Sequence, residues 1–332
     1  MPLHDISYQH WEGTHVGIWG RRLVIARNGL TACLQNKWMR YLVVVCWMAA
    51  LAMTAFLFLI GQLLVADSVV VQWVGTFNPQ LQSFAHMLTS WLEQHPEISV
   101  HTSQNLLFYY FCIYLLTPLS VFALGMAMPL LITRDLASNA VIIYSSKAVS
   151  RGDYLLGKFA TAFGLMTLTM LGPMCAAWFV WNLLAPDWRF FWHSRAVLGH
   201  VLIYALSAMC ILSLLALGVS AIARKEKATP AFWFMWWILG GSIAGIASHT
   251  RPGLRHVSFN FNLDQIATAV FRPGSDIQTA QENIPVFGNV FRNLIGEYLV
   301  ELKAPPIWGA LLALLLLIGV AVFIINKRVK PE

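Results

Sequence analysis

Six long runs without a single Asp, Glu, Lys or Arg divide the chain and constrain its fold more than any other feature. They cover about residues 41–64, 105–132, 159–184, 196–222, 230–247 and 307–326. A soluble core needs apolar runs of roughly 4 to 14 residues, whereas a helix that crosses a bilayer needs about 20. An α-helix forms all its backbone hydrogen bonds within itself, which hydrocarbon requires. The runs also lack the alternation of apolar and polar residues that is typical of the strands of a membrane β-barrel. The sequence therefore predicts an all-α membrane protein with six transmembrane helices.

Composition agrees with a membrane location. Of the 332 residues, 58% are hydrophobic and 11% are charged, whereas soluble domains carry roughly a quarter of their residues as Asp, Glu, Lys or Arg. We assign residues 1–40 to an N-terminal cytoplasmic or interfacial segment and residues 41–332 to a six-helix transmembrane domain. Within that domain, two long outer loops are expected over 65–104 and 248–306.

The basic residues indicate an orientation. Fifteen of the 22 Lys and Arg residues fall before the first run, between the second and third, between the fourth and fifth, or after the sixth. Cytoplasmic loops of membrane proteins carry such an excess, so both termini are predicted to be cytoplasmic. Anionic lipid at the inner leaflet accounts for the net charge of +7, and nucleic acid is not an expected partner.

The N-terminal segment contains a helical pattern although it is polar and basic. Apolar side chains recur at helical spacing, at Leu23, Ala26, Leu30, Cys33 and Leu34. Such a stripe is typical of an amphipathic helix that lies in the membrane interface. A simple basic anchor explains the segment equally well.

The outer loops repeat the amphipathic pattern. Apolar residues at helical spacing within 81–92 and 287–298 predict short surface helices. These helices would act as lids over the outer mouth of the membrane domain or bind extracytoplasmic partner proteins.

Two prolines interrupt the runs. Pro118 and Pro173 lie inside the second and third runs, where proline removes a backbone donor and favours a kink. Kinks can open a polar cavity, but proline is also common in membrane helices that only pack against their neighbours.

One segment nearly matches a phosphate-binding loop. Residues from Gly152 to Lys158 satisfy the spacing GxxxxGK, but Phe159 stands where a nucleotide site needs Ser or Thr to hold magnesium. The segment also leads directly into an apolar run, and no apolar strand precedes it. We therefore expect this chain to bind no cofactor of its own.

Histidines and cysteines do not form a recognisable site. Six histidines map to the outer side at spacings that do not suit zinc or copper: His86, His95, His101, His193, His249 and His256. His200 lies inside the fourth run, where an ionisable residue is a functional candidate, although packing is the commoner role. The five cysteines are interpreted as packing residues. We predict no metal site, no catalytic constellation and hence no enzyme.

The connection between the second and third runs carries the most specific pattern. It contains Arg134-Asp135-Leu136-Ala137-Ser138, then IIYSSKAVSR over 142–151, and then Tyr154-Leu155-Leu156-Gly157-Lys158. This connection resembles that of the ABC-2 family of ABC transporter permeases. In that family an acidic–arginine pair, a leucine–serine stretch, a P-V-S-R element and a Y-L-L-G-K ending follow the second span. Asp135 and Ala148 depart from the family pattern, which more often has Glu and Pro.

The resemblance implies a coupling role for this connection. It would form a cytoplasmic coupling helix between helices 2 and 3, seated on a separate ABC ATPase subunit that binds ATP and magnesium. Carried over to this chain, the ATPase-coupling residues are Arg134, Asp135, Tyr144, Arg151, Asp153, Tyr154 and Lys158. Four of them, Asp135, Arg151, Asp153 and Lys158, would face the ATPase.

The resemblance also implies a location and further partners. The chain would be a multi-pass permease of the bacterial cytoplasmic (inner) membrane, paired with a second permease copy or a homologue, and would move an unidentified solute. Two alternatives stay open. In the first, the connection is a basic cytoplasmic loop without a partner. In the second, the whole chain is a non-transporting scaffold or regulatory subunit that anchors an assembly on the outer side of the membrane.

Overall fold

A computed structural model describes residues 17–63, 96–138, 150–185, 188–223, 225–250, 252–283 and 307–329. Every regular element within these ranges is helical, which confirms the all-α class. The helices are α1 (Ile18–Gln35), α2 (Lys37–Leu63), α3 (96–137), α4 (Arg151–Leu184), α5 (Arg189–Ile222), α6 (Ala228–Thr250), α7 (Phe259–Phe271), α8 (Pro273–Asn283) and α9 (Ile307–Arg328), with a 3-10 turn at Pro252–Val257. The amphipathic stripes at 81–92 and 287–298 lie outside the described residues.

Five of the described helices are long and apolar enough to cross a membrane, namely α2, α3, α4, α5 and α9. The chain is therefore a helical protein of multi-pass membrane type. The predicted fifth run, 230–247, lies on α6, which has 23 residues but is not among the five. Its crossing stays a prediction.

The two prolines inside the runs each follow a π turn. In α3 the π turn Phe111–Leu116 precedes Pro118, and in α4 the π turn Thr167–Leu171 precedes Pro173. Proline has no backbone N–H, so the carbonyl that this N–H would bind one turn earlier lacks a backbone hydrogen-bond donor. In α4 the Trp47 indole N–H replaces that donor, because it donates to the Leu168 carbonyl at 3.0 Å. Both helices continue beyond the proline, and a kink at either one stays a prediction.

A third π turn, Pro129–Thr133, is completed by a hydroxyl from α5. Ser220 Oγ donates to the Met128 carbonyl at 2.9 Å and accepts from the N–H groups of Ile132 and Thr133 at 2.9 and 3.1 Å. Thr133 Oγ1 also lies 3.0 Å from Thr229 Oγ1 at the start of α6. The C-terminal ends of α3 and α5 and the start of α6 are thus joined by buried hydrogen bonds.

The N-terminal helix predicted from the apolar stripe is present as α1, and its stripe mostly packs on protein. Cys33 is buried in a cluster with Ala127 and Leu165, and Leu30 packs against the same cluster. Gly157 of α4 permits the close approach of α1, because a Cβ there would lie 2.6 Å from Ile25 Cγ2. Leu23, in contrast, is exposed.

Helix α7 lies inside the bundle although the sequence places it in the outer loop 248–306. It begins where Phe259 stacks on Trp233, with ring centroids 5.1 Å apart. It ends where the Phe271 carbonyl accepts from Asn105 Nδ2 at 2.6 Å. Trp233 also donates to the Val121 carbonyl of α3 at 2.9 Å. Helix α7 therefore runs beside the N-terminal half of α3, from the level of Val121 to that of Asn105.

Candidate functional site

The residues with a predicted coupling role lie at the end of α3 and at the start of α4. Arg134 and Asp135 end α3, whereas Arg151, Asp153, Tyr154 and Lys158 belong to the first turns of α4. Tyr144 lies between them, in the segment 139–149, which is outside the described residues. The described residues therefore flank this segment on both sides.

Asp135, Tyr154 and Lys158 form a buried cluster that joins α3 to α4. The Lys158 ammonium lies 2.7 Å from Asp135 Oδ2, and the Tyr154 hydroxyl donates to the same oxygen at 2.7 Å. Lys158 also donates to the Leu130 carbonyl at 3.0 Å and is only 8% exposed. The ion pair is hydrogen-bonded on both sides, as a buried pair must be to offset its desolvation.

Asp153 begins α4 and connects it to α1. The Asp153 N–H donates to Ser150 Oγ at 3.1 Å and the Ser150 N–H donates to Asp153 Oδ2 at 3.3 Å, so the two residues form a capping box. Ser150 Oγ also donates to Asp153 Oδ2 at 2.6 Å. The other carboxylate oxygen accepts from Arg22 Nε at 2.6 Å. The Arg22 guanidinium in turn lies 4.6 Å from the ring centroid of Trp19. A single carboxylate thus sets both the start of α4 and the position of α1.

Arg151 reaches the end of the last helix. Its Nη2 donates to the carbonyls of Ile325 and Asn326 at 3.1 and 2.9 Å. The Ile325 carbonyl also accepts from the Val329 N–H at 3.0 Å, and the Arg151 cation complements the negative end of the α9 dipole. Among the described coupling residues, Arg134 is the one with an exposed side chain.

The geometry changes the interpretation of the coupling residues. The sequence predicts that Asp135, Arg151, Asp153 and Lys158 face an ATPase, whereas their side chains bind groups of this chain. They join the two flanks of the segment 139–149 to each other, to α1 and to α9. Their role in coupling stays a prediction, but the arrangement suits the transmission of force rather than direct contact.

A second polar cluster lies near the N-terminal end of α3. Asn105 Oδ1 is 2.9 Å from His200 Nδ1 of α5, and Asn105 Nδ2 also donates to Asp276 of α8. His101 Nδ1 lies 4.0 Å from Asp276 Oδ1. Burial raises the pKa of the Asp276 carboxyl, and the hydrogen bond from Asn105 and the charge of His101 oppose that shift. His200, the functional candidate in the fourth run, is therefore part of this hydrogen-bonded cluster.

Buried hydroxyl groups continue from this cluster towards the middle of the bundle. The hydroxyl pairs are Tyr109 with Thr268 at 3.1 Å, Thr117 with Tyr204 at 2.8 Å and Ser120 with Thr169 at 3.1 Å. Asp264 of α7 lies one turn before Thr268 and is half-buried. Burial raises the pKa of the Asp264 carboxyl to about 6. The half of the bundle around the N-terminal part of α3 therefore contains polar groups that the length and charge of the runs do not reveal.

Other predicted residues have local roles. His256 Nδ1 lies 2.6 Å from Asn262 Oδ1, near the start of α7. Within the described ranges, no three His, Cys, Asp or Glu side chains are grouped as metal ligands. His86 and His95 lie outside these ranges. Three of the five cysteines, Cys33, Cys46 and Cys112, are buried and unbridged.

Comparison with known proteins does not assign the chain to a family. No family model matches it, and no curated protein matches it. Its function therefore has to be inferred from its own residues and their geometry.

Proposed function

We propose that the chain is the membrane-spanning permease subunit of an ABC-2 type ABC transporter. It would move an unidentified solute with ATP hydrolysed by a separate ATPase subunit. The observation that supports this best is the anchoring around the segment 139–149. On one side of it Asp135 binds Lys158, and on the other side Asp153 binds Arg22 and Arg151 binds the end of α9.

This anchoring supplies a mechanism for coupling. An ATPase that moves the segment 139–149 would displace α3 and α4 together, because the Asp135–Lys158 pair joins their inner ends. Helix α1 would follow through Arg22, and α9 would follow through Arg151. A local push would thus become a concerted displacement of the inner ends of four helices, which alternating access requires.

The near-match to a phosphate loop supports a separate motor subunit. Gly152 and Gly157 lie within α4, so the segment is helical rather than a loop. Lys158, which a phosphate loop would direct at nucleotide, binds Asp135 and the Leu130 carbonyl instead. ATP and magnesium would therefore bind to the partner, and a second permease copy or homologue would complete the transporter.

We also propose six crossings with both termini in the cytoplasm of a bacterial cell, whose inner membrane holds the protein. Helix α6 would be the additional crossing. Its start, Thr229, meets Thr133 at the inner end of α3, and Trp233 meets Val121 further along. Helix α6 is therefore antiparallel to α3, as a crossing at this point of the chain requires.

Affinity purification of the tagged chain from its native membrane tests the proposal. We expect an ABC ATPase to co-purify in stoichiometric amount and to hydrolyse ATP in a vanadate-sensitive manner. Substitution of Tyr144 by Ala should detach or uncouple that ATPase, whereas Ser242→Ala on α6 serves as a control at an exposed site.

Two results would contradict the permease function. One is stable isolation of the chain without any nucleotide-binding partner. The other is an outer-side complex that is lost on deletion of 80–93 or 286–299 while the ATPase stays coupled, since this result would favour the scaffold.

A further inference from the structure

Buried polar and aromatic contacts join the end of α4 to the first turns of α5. The Ser194 hydroxyl of α5 donates to Asn182 Oδ1 of α4 at 2.9 Å, and the Trp178 indole N–H donates to the Ser194 carbonyl at 3.3 Å. The Phe191 ring packs against Trp178 and stacks on Trp188, with centroid distances of 5.2 and 4.9 Å. These contacts fix the face that the start of α5 turns away from the bundle.

That outward face carries two tryptophans and a cation. Trp188, Trp192 and Arg195 are spaced by four and three residues, so they share one face of the helix. Trp188 and Trp192 are 74% and 59% exposed, and Arg195 is exposed as well. The Arg195 guanidinium lies 4.1 Å from the centroid of the Trp192 ring. Within the described ranges, no carboxylate lies at ion-pair distance from Arg195, so its charge is available to a partner.

The same face continues along α5 as an apolar surface. Gly199, Ile203 and Leu206 follow Arg195 at helical spacing, and Ile203 and Leu206 are exposed. A Cβ at Gly199 would have no neighbour within 4 Å, so a gap lies between Arg195 and Ile203. A cation, a gap and then apolar side chains match the order of the phosphate, glycerol and acyl chain in a phospholipid.

The length of α5 places Arg195 at the depth of lipid headgroups. Residues 195–222 rise about 40 Å at about 1.5 Å per residue. A bilayer is about 40–45 Å thick with its headgroups, and its hydrocarbon core is about 30 Å thick. Helix α5 ends at Ile222, and the exposed Lys225 follows, so this end reaches the other surface of the bilayer. Arg195 therefore lies among headgroups, where tryptophan is also enriched, while Ile203 lies in hydrocarbon.

We propose that this face of α5 binds an anionic phospholipid. The Arg195 guanidinium would bind the phosphate, with which its planar fork forms paired hydrogen bonds. The Trp192 ring holds the guanidinium in place, and an acyl chain would lie over Gly199 and Ile203. A zwitterionic headgroup carries its own cation, which competes with Arg195 for the phosphate, so an anionic lipid is favoured. This lipid site goes beyond the proposed permease function and does not depend on it.

Photo-crosslinking of the purified full chain in phosphatidylcholine nanodiscs tests the site. The probe is a phosphatidylglycerol that carries a diazirine beside its headgroup, and peptide mass spectrometry locates the label. The matched probe carries the same diazirine on phosphatidylcholine. We expect the phosphatidylglycerol probe to label residues 188–203 at least about fivefold more strongly than the phosphatidylcholine probe does.

Variants test the cation and the ring separately. Arg195→Gln should lower labelling of 188–203 by the phosphatidylglycerol probe at least about fivefold. Lys225→Gln is the matched control, because it removes an exposed cation beyond the other end of α5 and should leave this labelling unchanged. Trp192→Leu removes the ring beside the guanidinium and should weaken labelling severalfold. Tryptophan fluorescence on heating shows whether each variant is folded.

Three results would overturn the site. The first is equal labelling of 188–203 by the two probes, and the second is equal labelling of the wild type and folded Arg195→Gln. The third is a changed oligomeric state of Trp192→Leu with unchanged labelling, which would assign this face to a contact between copies. The assay uses the chain without an ATPase, so failure of the permease function would leave a positive result intact.

Discussion

The Lys158 ammonium lies 2.7 Å from an Asp135 carboxylate oxygen, and this pair joins the end of α3 to the start of α4. The side chains of Lys158 and Asp135 are 10% and 16% exposed, so solvent screens the pair only weakly. The pair lies between the bundle and the segment proposed to contact an ATPase. Its loss should therefore affect stability and coupling together.

Lys158→Met should destabilise the protein by on the order of 3 kcal/mol, because it leaves a largely buried carboxylate without its cation. The Tyr154 hydroxyl bond remains, which prevents a larger loss. Thermal unfolding in detergent, followed by tryptophan fluorescence, measures the change. The neighbouring Arg134→Met is the control, since that side chain is exposed and its replacement should change stability by less than about 0.5 kcal/mol. Equal effects of the two variants would contradict the importance of the pair.

Asp153→Ala should cost more than Asp153→Asn, because alanine removes both the carboxylate half of the capping box and the partner of Arg22. The Ser150 hydroxyl still caps the N–H of residue 153, so the loss at the helix start stays below about 1 kcal/mol, and asparagine keeps an oxygen that can accept from Ser150. Arg22→Met removes the ion pair alone, and a partly exposed pair of this kind contributes up to about 1 kcal/mol. A double-mutant cycle of Arg22→Met with Asp153→Ala measures that coupling. Strict additivity would show that the contact between α1 and α4 does not depend on this pair.

Run length could predict most of the spanning helices because it is a local property. The described parts of α2, α3, α4, α5 and α9 coincide with predicted runs, and the longer of these helices extend beyond them. Spacing also predicted α1. It could not indicate which neighbour its apolar face would contact, since that depends on Gly157, more than 120 residues away.

The coupling residues show why polarity in a connection is a weak guide to exposure. Arg22 and Asn326 are the partners of Asp153 and Arg151, and both are distant in the sequence. Helix α7 was missed for another reason, because its 13 residues are too few to span a bilayer and its apolar face was attributed to an outer loop. The spacing of Asn260, Asp264 and Thr268 was the available signal for its polar face.

Ser220→Ala should be the most damaging small substitution in α5. It removes the hydroxyl that accepts from the Ile132 and Thr133 N–H groups and donates to the Met128 carbonyl, all of them buried. Each lost hydrogen bond costs about 0.5–1.5 kcal/mol, so we expect a loss of about 2 kcal/mol. Ser213→Ala is a matched control on the same helix, since the buried Ser213 hydroxyl makes only a 4.0 Å contact with Met166 Sδ. Unfolding midpoints measured side by side should separate the two variants, and similar midpoints would refute the role given to Ser220.

Asp264→Asn should stabilise the protein at pH 8 and have progressively less effect as the pH falls to 4. The pKa of Asp264 is about 6 in the folded chain, above the ordinary value of 3.8, so the folded chain binds more protons than the unfolded chain between these values. Ionisation of Asp264 therefore lowers stability as the pH rises from about 4 through 6, by at most about 3 kcal/mol. Asparagine does not ionise, so the free energy of unfolding of the variant does not fall in this way as the pH rises. Unfolding midpoints of wild type and variant at pH 4, 6 and 8 test the effect. Glu226→Gln is the control, because the Glu226 side chain is exposed. A difference between wild type and variant that stays constant across this range would show that the Asp264 charge is compensated in the folded protein.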